Sequence, residues 1–174
     1  MTLDGYTIRL ATEDDIPHLA AIERAAAVLF EPYSGAESGD DLVVEDADLV
    51  RAAVADRRLW VCAHGVQVVG FALATILDGE VHLHEIDVLP EHGRRGLGRA
   101  LVEAVCAGAR AAGYGSVTLS TRMDVPFNGP FYGRLGFVAL PEAELTAGLR
   151  QLRLNEAERG LDVERRAVMR RALA

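Results

Sequence analysis

Polar and apolar residues alternate along several short stretches of this chain, and apolar residues follow a helical spacing along others. Alternation with a period of two, together with runs rich in β-branched residues, predicts strands. Gly65-Val66 and Asp78-Gly79 separate three of these stretches, so we expect an antiparallel three-strand meander there. The predicted strands are Tyr6–Leu10, Leu59–His64, Gln67–Leu77, Val81–Val88, Ser116–Thr121, Phe137–Leu140 and Val163–Arg171.

Apolar stripes at helical spacing predict five helices between these strands. Asp14 or Asp15 can cap the first helix, and Pro17 fits its first turn because an N–H has no partner at that position. The strand Ser116–Thr121 follows a helix and is expected to lie parallel to Val81–Val88 through a right-handed crossover. The predicted helices are Ile16–Ala26, Asp46–Arg57, Gly98–Ala112, Pro130–Leu135 and Pro141–Arg159.

The order of these elements predicts one α+β domain over residues 1–174. Its sheet should be mixed and mostly antiparallel, with six to seven strands flanked by helices. Phe30–Asp41 is expected to be a loop because it contains Pro32 and two glycines. Trp60 and Phe71 are expected in the core.

Composition and charge narrow the classes of function. A net charge of −8 argues against general nucleic-acid binding, and no run reaches the length of a membrane span. The first residues carry no signal-peptide pattern, so we expect a cytoplasmic location. The chain has no lysine, which excludes a Schiff-base enzyme and a lysine-dependent phosphate loop. Cys62 and Cys106 are expected to be buried thiols and not a disulfide or a zinc pair.

The stretch Val81–Arg99 combines a strand, a turn at Pro90 and the glycine-rich start of a helix. Glycines at a helix start let backbone N–H groups close around an anion, which the helix dipole also favours. The three arginines within Arg94–Arg99 strengthen this interpretation. The sequence therefore indicates a site for a phosphorylated ligand, and the alternative is a solvent-facing turn.

Two motifs give the chain a family resemblance. They are Val88-Leu-Pro followed by Arg95-Gly-Leu-Gly98, and Phe131-Tyr-Gly-Arg-Leu-Gly-Phe137. With these motifs in this order, the chain resembles the GNAT superfamily of acyl-CoA-dependent N-acetyltransferases over roughly Ile8–Val168. The resemblance implies transfer of an acetyl group from acetyl-CoA to a primary amine of a small molecule or peptide, by direct attack and without a metal.

The resemblance also implies roles for the central stretch. The strand Val81–Val88 would bulge and splay from Ser116–Thr121, and its freed backbone groups would bind the pantetheine arm. The loop Arg94–Arg99 would wrap the pyrophosphate with backbone N–H groups. The implied CoA-binding residues are Ile86, Asp87, Val88, Arg94, Arg95, Gly96, Leu97, Gly98, Arg99 and Asn128.

The chain departs from the family pattern at two places. Gly93 stands where Arg or Gln is common, and Arg94 stands where glycine is frequent. The loop can still bend because Gly93 lies beside Arg94. Many members have an asparagine at the position of Val125, whereas this chain has Asn128. Asn128 either contacts CoA from a shifted place or only caps its helix.

Tyr132 is the predicted general acid, because the family places a tyrosine at this point of the motif and a phenol can protonate a leaving thiolate. The alternative is a core aromatic. Glu85 is the preferred base for the amine, with His84, water, Ser120 or Arg122 as alternatives. Alternation sends His84 to the other face of its strand unless the bulge intervenes.

Two regions are expected to form the acceptor pocket, namely the loop Phe30–Asp41 and the insertion Pro141–Gly160. The acidic residues of that loop would suit a cationic amine or would simply be solvated. These residues are Glu31, Glu37, Asp40 and Asp41. His82, His84 and His92 lack a carboxylate or Cys that would complete a metal site, so no metal is expected.

An exposed last strand could pair with a second copy of the chain, which makes a homodimer one expectation. The alternative function is a non-catalytic acyl-CoA-binding sensor, which would share the phosphate loop and lack a working base.

Overall fold

The protein's structure is a computed structural model that describes residues 3–33 and 46–173. The strands are β1 (Tyr6–Leu10), β2 (Leu59–His64), β3 (Gln67–Leu77), β4 (Glu80–Val88), β5 (Ser116–Arg122), β6 (Val138–Ala139) and β7 (Arg166–Ala172). The helices are α1 (Ile16–Ala27), α2 (Ala47–Ala55), α3 (Leu97–Ala111), α4 (Gly129–Arg134) and α5 (Ala147–Glu158).

Seven strands form one sheet in the order β1-β2-β3-β4-β5-β7-β6. Only β4 and β5 pair in parallel, and every other pairing in this sheet is antiparallel. The helix α3 connects the parallel pair, as a crossover requires. The predicted α+β fold, with its mixed, mostly antiparallel sheet and three-strand meander, is confirmed.

Helices cover both faces of the sheet. On the α3 face, α3 and α4 pack against a core that includes Leu101, Leu119 and Phe137. On the opposite α1 face, α1 and α2 pack against a second core that includes Phe71, and α5 packs against Val168 on β7. Trp60 and Phe71 are buried, as predicted.

The central strand β4 is bulged and splayed. Leu73 pairs with Glu85 and the next residue of β3 pairs with Leu83, so His84 is the extra residue of a bulge. The parallel ladder between β4 and β5 contains three residue pairs and ends at Leu83 and Leu119, although both strands continue. The two strands therefore separate from His84 onward, which confirms the geometry implied by the resemblance.

Two predictions about the first half of the chain need correction. Asp15 precedes α1 but does not cap it, because its carboxylate binds Arg9 at 2.7 Å and accepts from the Thr12 N–H at 2.8 Å. The start of Phe30–Asp41 is not loop: a 3₁₀ turn spans Val28–Tyr33. Residues 34–45, with Glu37, Asp40 and Asp41, lie outside the described residues.

The insertion between β6 and β7 is not one helix. A 3₁₀ turn at Glu142–Glu144 ends at Leu145, whose backbone is extended, and Thr146 caps α5. The Thr146 hydroxyl and the Gly148 N–H both donate to Asp78, which anchors this helix start to the β3–β4 turn. This contact is distant in sequence, so the local pattern carries no sign of it.

The last strand is not an edge strand. β7 pairs with β5 along its whole length and with β6 on its other side, so β1 and β6 form the edges of the sheet. This removes the reason for expecting a homodimer through β7. Cys62 and Cys106 are buried free thiols, as predicted. No helix in the described ranges has the length and hydropathy needed to cross a membrane.

Candidate active site

The opening between β4 and β5 is the centre of the candidate site. Glu85 pairs with Leu73 and Asp87 with Phe71, and both partners belong to the core under α1. Because directly paired residues share a face, the two carboxyl groups lie on the α1 face. Tyr132 belongs to the core on the α3 face. The opening therefore separates carboxyl groups on one face from a phenol on the other.

The Arg94–Arg99 loop leads from β4 into α3 at one end of this opening. Arg94 and Gly96 both have left-handed backbone conformations, with φ of 57° and 82°. No side chain of the described residues caps α3 at Gly96, so the N–H groups of its first turn are available to a ligand. Arg94, Arg95 and Arg99 are exposed beside them. This geometry matches the predicted anion site.

One backbone amide of β4 donates to the side chain of the residue before it. The Ile86 N–H donates to Oε1 of the neighbouring Glu85 at 3.2 Å. It follows the bulge at His84, where the ladder with β3 changes register. A ligand that accepts from the Ile86 N–H would release one carboxylate oxygen of Glu85. The two predicted roles of these neighbouring residues are thus linked by a single hydrogen bond.

Tyr132 is held firmly in place by aromatic neighbours. Its ring lies edge-on to those of Phe131 and Phe137, with centroids 5.1 Å and 5.8 Å away. Burial, and then the charges of Glu85 and Asp87, raise the pKa of the Tyr132 phenol well above its usual value. The phenol is therefore protonated at neutral pH. Tyr132 is both a core aromatic and a group that can donate a proton toward the opening.

Three carboxyl groups meet on the α1 face beside the opening. Burial, and then the charges of Glu85 and Glu23, raise the pKa of the Asp87 carboxyl well above its usual value. Glu23 is a buried residue of α1. The Asp87 Oδ2 atom is buried and has no hydrogen-bond partner among the described residues. Sequence reasoning missed Glu23 as a site residue, although a charged residue within an apolar helical stripe was a visible signal.

Burial lowers the pKa of both histidines of β4. His82 is buried, and its Nδ1 is hydrogen-bonded to Thr118 Oγ1 at 2.9 Å. Burial, and then the charge of His84, lower the pKa of His82 to about 3, so it stays neutral. Burial also lowers the pKa of His84, with smaller effects from Arg159, Glu156 and Asp46. Among residues 3–33 and 46–173, no group of three or more His, Cys, Asp or Glu residues could hold a metal ion.

The end of β5 carries the remaining candidate bases. The Ser120 Oγ atom is buried without a hydrogen-bond partner among the described residues. Arg122 is buried and donates to the Asp124 carboxylate at 2.7 Å, so it is a poor candidate for a base. Arg166 donates to Glu156 Oε1 at 3.0 Å and to the Ser120 carbonyl at 3.2 Å. Arg122 and Arg166 are thus each paired with a carboxylate, whereas the buried Glu156 Oε2 atom has no hydrogen-bond partner among the described residues.

Asn128 occupies the N-cap position of α4, yet its side chain makes no capping hydrogen bond. Its carbonyl accepts from the Tyr132 N–H at 2.9 Å, which fixes the start of the helix through the backbone alone. The side-chain capping interpretation of Asn128 is therefore wrong. Val125 is fully buried.

An aromatic cluster, called the rim below, lies beyond the end of β5, the strand that borders the opening. The rings of Phe30 and Tyr33 lie edge-on to Phe127, with centroids 5.2 Å and 5.8 Å away. Phe127 belongs to the segment between β5 and α4, so this contact joins the end of α1 to the end of β5. Phe30 and Tyr33 belong to the predicted acceptor region. Phe127 was not predicted, because only the fold brings the two segments together.

Comparison with known protein families matches residues 22–137, more than half of the chain, to the acetyltransferase (GNAT) family. The chain belongs to this family. Solved structures of other GNAT-fold proteins agree. PaiA N-acetyltransferase from Thermoplasma acidophilum, in complex with coenzyme A, has a TM-score of 0.73 and 13% identity over 99% of both chains.

Two further structures extend the likeness of fold. The ribosomal-protein-S18-alanine N-acetyltransferase from Escherichia coli has a TM-score of 0.62 and 19% identity, over 97% of this chain and 94% of the other. N-acetylglutamate synthase from Neisseria gonorrhoeae, complexed with coenzyme A and N-acetyl-glutamate, has a TM-score of 0.70 and 19% identity. This GNAT chain aligns over 97% of its own length but spans only 35% of that synthase.

The residues of this GNAT protein fit a CoA thioester. The open edge of β4 offers the Ile86 N–H, which donates to the Glu85 side chain beside the bulge. The uncapped start of α3 offers backbone donors to phosphate groups. An amide-rich, pyrophosphate-containing molecule matches both sets of donors.

Proposed function

We propose that this protein is an N-acetyltransferase that transfers the acetyl group of acetyl-CoA to a primary amine by direct attack. The observation that carries the proposal is the opening beyond Leu83 and Leu119, with Glu85 on the α1 face and Tyr132 on the α3 face. An amine can enter from the side of the carboxyl groups, and a thiolate can leave on the side of the phenol. Residues 1–174 would act as one catalytic domain.

Backbone groups would form most of the contacts with acetyl-CoA. The Ile86, Asp87 and Val88 segment would bind the pantetheine arm along the open strand edge. The loop residues Arg94, Arg95, Gly96, Leu97, Gly98 and Arg99 would hold the pyrophosphate, with Asn128 near the arm from α4. Asn128 is available for this because its side chain caps no helix. No metal takes part in the proposed reaction.

The protein's side chains would move two protons. Acetyl-CoA, when bound, supplies a thioester carbonyl that an amine can attack. Glu85, once its Oε1 leaves the Ile86 N–H, would accept a proton from the ammonium of the acceptor. Tyr132 would donate its phenolic proton to the departing sulfur, and the second proton that the nitrogen loses as the amide forms would restore the phenol. Its raised pKa keeps the phenol protonated at neutral pH, so that the proton is present when the carbon–sulfur bond breaks.

The Tyr132→Phe variant tests this proposal. Its turnover with acetyl-CoA and an amine should fall by roughly 10²-fold or more, the scale of general acid catalysis, while the KM for acetyl-CoA changes little. Release of the free CoA thiol across a panel of primary amines is the measurement. Tyr114→Phe is the matched control, because Tyr114 follows the end of α3 and packs against the same core. An unchanged turnover in Tyr132→Phe would remove Tyr132 from the mechanism.

The same panel distinguishes the second candidate function. A protein that binds acetyl-CoA and acetylates none of the amines would be an acyl-CoA-binding sensor. The buried carboxyl groups beside the opening favour the enzyme, since a sensor has no need of a proton acceptor there. A cytoplasmic location stays a prediction from the sequence.

A further inference from the structure

The proposed reaction gives no role to the side chain of Asp87, which lies on the α1 face. One carboxylate, Glu85, is enough to take the proton of the reacting amine. Asp87 adds a second carboxyl group two residues further along β4, and its Oδ2 atom is buried without a partner among the described residues. A buried polar atom without a hydrogen bond is costly, so an unpaired one points to a ligand that completes it.

The surroundings of Asp87 specify the charge of that ligand. Glu85 and Glu23 are the charged groups that shift its pKa, and both shift it upward. Arg166, on β7, is paired with Glu156 at 3.0 Å. A carboxylate or phosphate brought to Asp87 would be repelled by these acidic groups. An ammonium would be attracted, and its three N–H donors could satisfy Oδ2 and a neighbouring carboxylate together.

The spacing of the carboxyl groups specifies the shape of the ligand. Glu85 and Asp87 lie on one face of β4, and two residues of a strand span about 7 Å. A chain of four methylenes between two amines has a similar reach when it is extended. One amine could therefore lie at Glu85, beside the opening, while the second lies at Asp87 and Glu23.

We propose that Asp87 and Glu23 form a subsite for a second, non-reacting ammonium group, so that the preferred acceptor is a flexible aliphatic diamine. This inference rests on the proposed acetyltransferase activity and specifies its acceptor. Phe30, Tyr33 and Phe127 at the rim would admit such a chain, since aromatic faces attract ammonium groups. An ω-amino acid of the same length would be rejected, because its carboxylate would lie at Asp87.

Three acceptors with the same four-carbon chain test the subsite. They are 1,4-diaminobutane, n-butylamine and 4-aminobutanoate, whose far ends are positive, neutral and negative. The kcat/KM with acetyl-CoA should fall in that order, by roughly tenfold or more at each step, as expected for hydrogen bonds to charged groups. Asp87→Asn and Glu23→Gln should remove most of the preference for the diamine over n-butylamine. Asp48→Asn, which changes a fully exposed carboxylate on α2, should leave the preference unchanged.

Binding provides a second measurement that does not depend on turnover. Titration calorimetry of 1,4-diaminobutane into the CoA-saturated protein should show tighter binding than n-butylamine, and Asp87→Asn should bind the diamine roughly tenfold more weakly. If no amine is acetylated but this binding pattern holds, the proposed function fails and the subsite stands. If amines are acetylated with equal preference for all three acceptors, or the preference survives Asp87→Asn, the subsite is overturned and the proposed function stands.

Discussion

Arg94 combines a backbone role with a charge at the point where the chain turns into α3. Its φ of 57° lies in the left-handed region that favours glycine. A non-glycine residue in this region costs about 1–2 kcal/mol. The arginine side chain is exposed beside the start of the helix. Arg94 therefore places a positive charge beside the anion site, although its backbone conformation is strained.

The Arg94→Gly variant separates the two roles. Its free energy of unfolding should rise by about 0.5–1 kcal/mol, after the greater freedom of glycine in the unfolded chain is subtracted. The KM for acetyl-CoA should rise severalfold because a charge near the pyrophosphate is lost. Arg57→Gly is the control, since Arg57 has a φ of 58° at the end of α2, away from the opening. It should gain stability with no change in KM, and a KM that is also unchanged in Arg94→Gly would leave the Arg94 side chain without a role in binding.

At the scale of elements, α4 sets the position of Tyr132, and a single glycine lets α4 approach the sheet. A Cβ atom at Gly129 would lie 2.9 Å from the Met123 Cα and 3.1 Å from the Arg122 carbonyl oxygen, both at the end of β5. Backbone atoms cannot move aside as a flexible side chain can. A side chain at this position would push the first turn of α4 away from β5 and carry Tyr132 with it.

Gly129→Ala should therefore lower kcat by tenfold or more and lower the free energy of unfolding by about 1–3 kcal/mol, as overpacking does. Gly133→Ala is a matched control within the same helix, because a Cβ there meets nothing within 4 Å. It should keep kcat and gain up to about 1 kcal/mol, the helix preference of alanine over glycine. Thiol-release kinetics and denaturant unfolding measure both effects. Equal behaviour of the two variants would contradict the proposed contact between α4 and β5.

The elements also show where prediction from sequence succeeds. The bounds of β1, β2 and β3 match the predicted strands residue for residue, because a sheet buried on one or both faces imposes its period on the local sequence. The break at Leu145 was missed, since it depends on Asp78 in a distant turn. The pairing of β7 between β5 and β6 was missed for the same reason. Glu23 and Asp87 meet only in the folded chain, so no local pattern placed them together.

At the scale of the whole molecule, the sheet is divided in two at the candidate site. β1 to β4 form one part, β5, β7 and β6 form the other, and three residue pairs join them. The core on the α3 face contains side chains from both parts of the sheet. Beyond Leu83, by contrast, β4 has no residue paired with β5. A ligand bound between β4 and β5 would add hydrogen bonds where the fold itself has none, and so would couple the two parts.

Hydrogen exchange with CoA and with pantetheine tests this coupling and the two predicted binding segments together. CoA should slow exchange of the Ile86 and Val88 amides and of the amides of the Arg94–Arg99 loop. At 100 times its Kd it should also raise the free energy of unfolding by about 2.7 kcal/mol.

Pantetheine lacks the pyrophosphate, so at matched saturation it should protect the β4 amides and leave the loop exchanging as in the free protein. The amides of β1, remote from the opening, report any general change in stability and serve as the reference. Protection of the loop by pantetheine, or none at Ile86 with either ligand, would contradict the assignment of the strand edge to the arm and of the helix start to the phosphates.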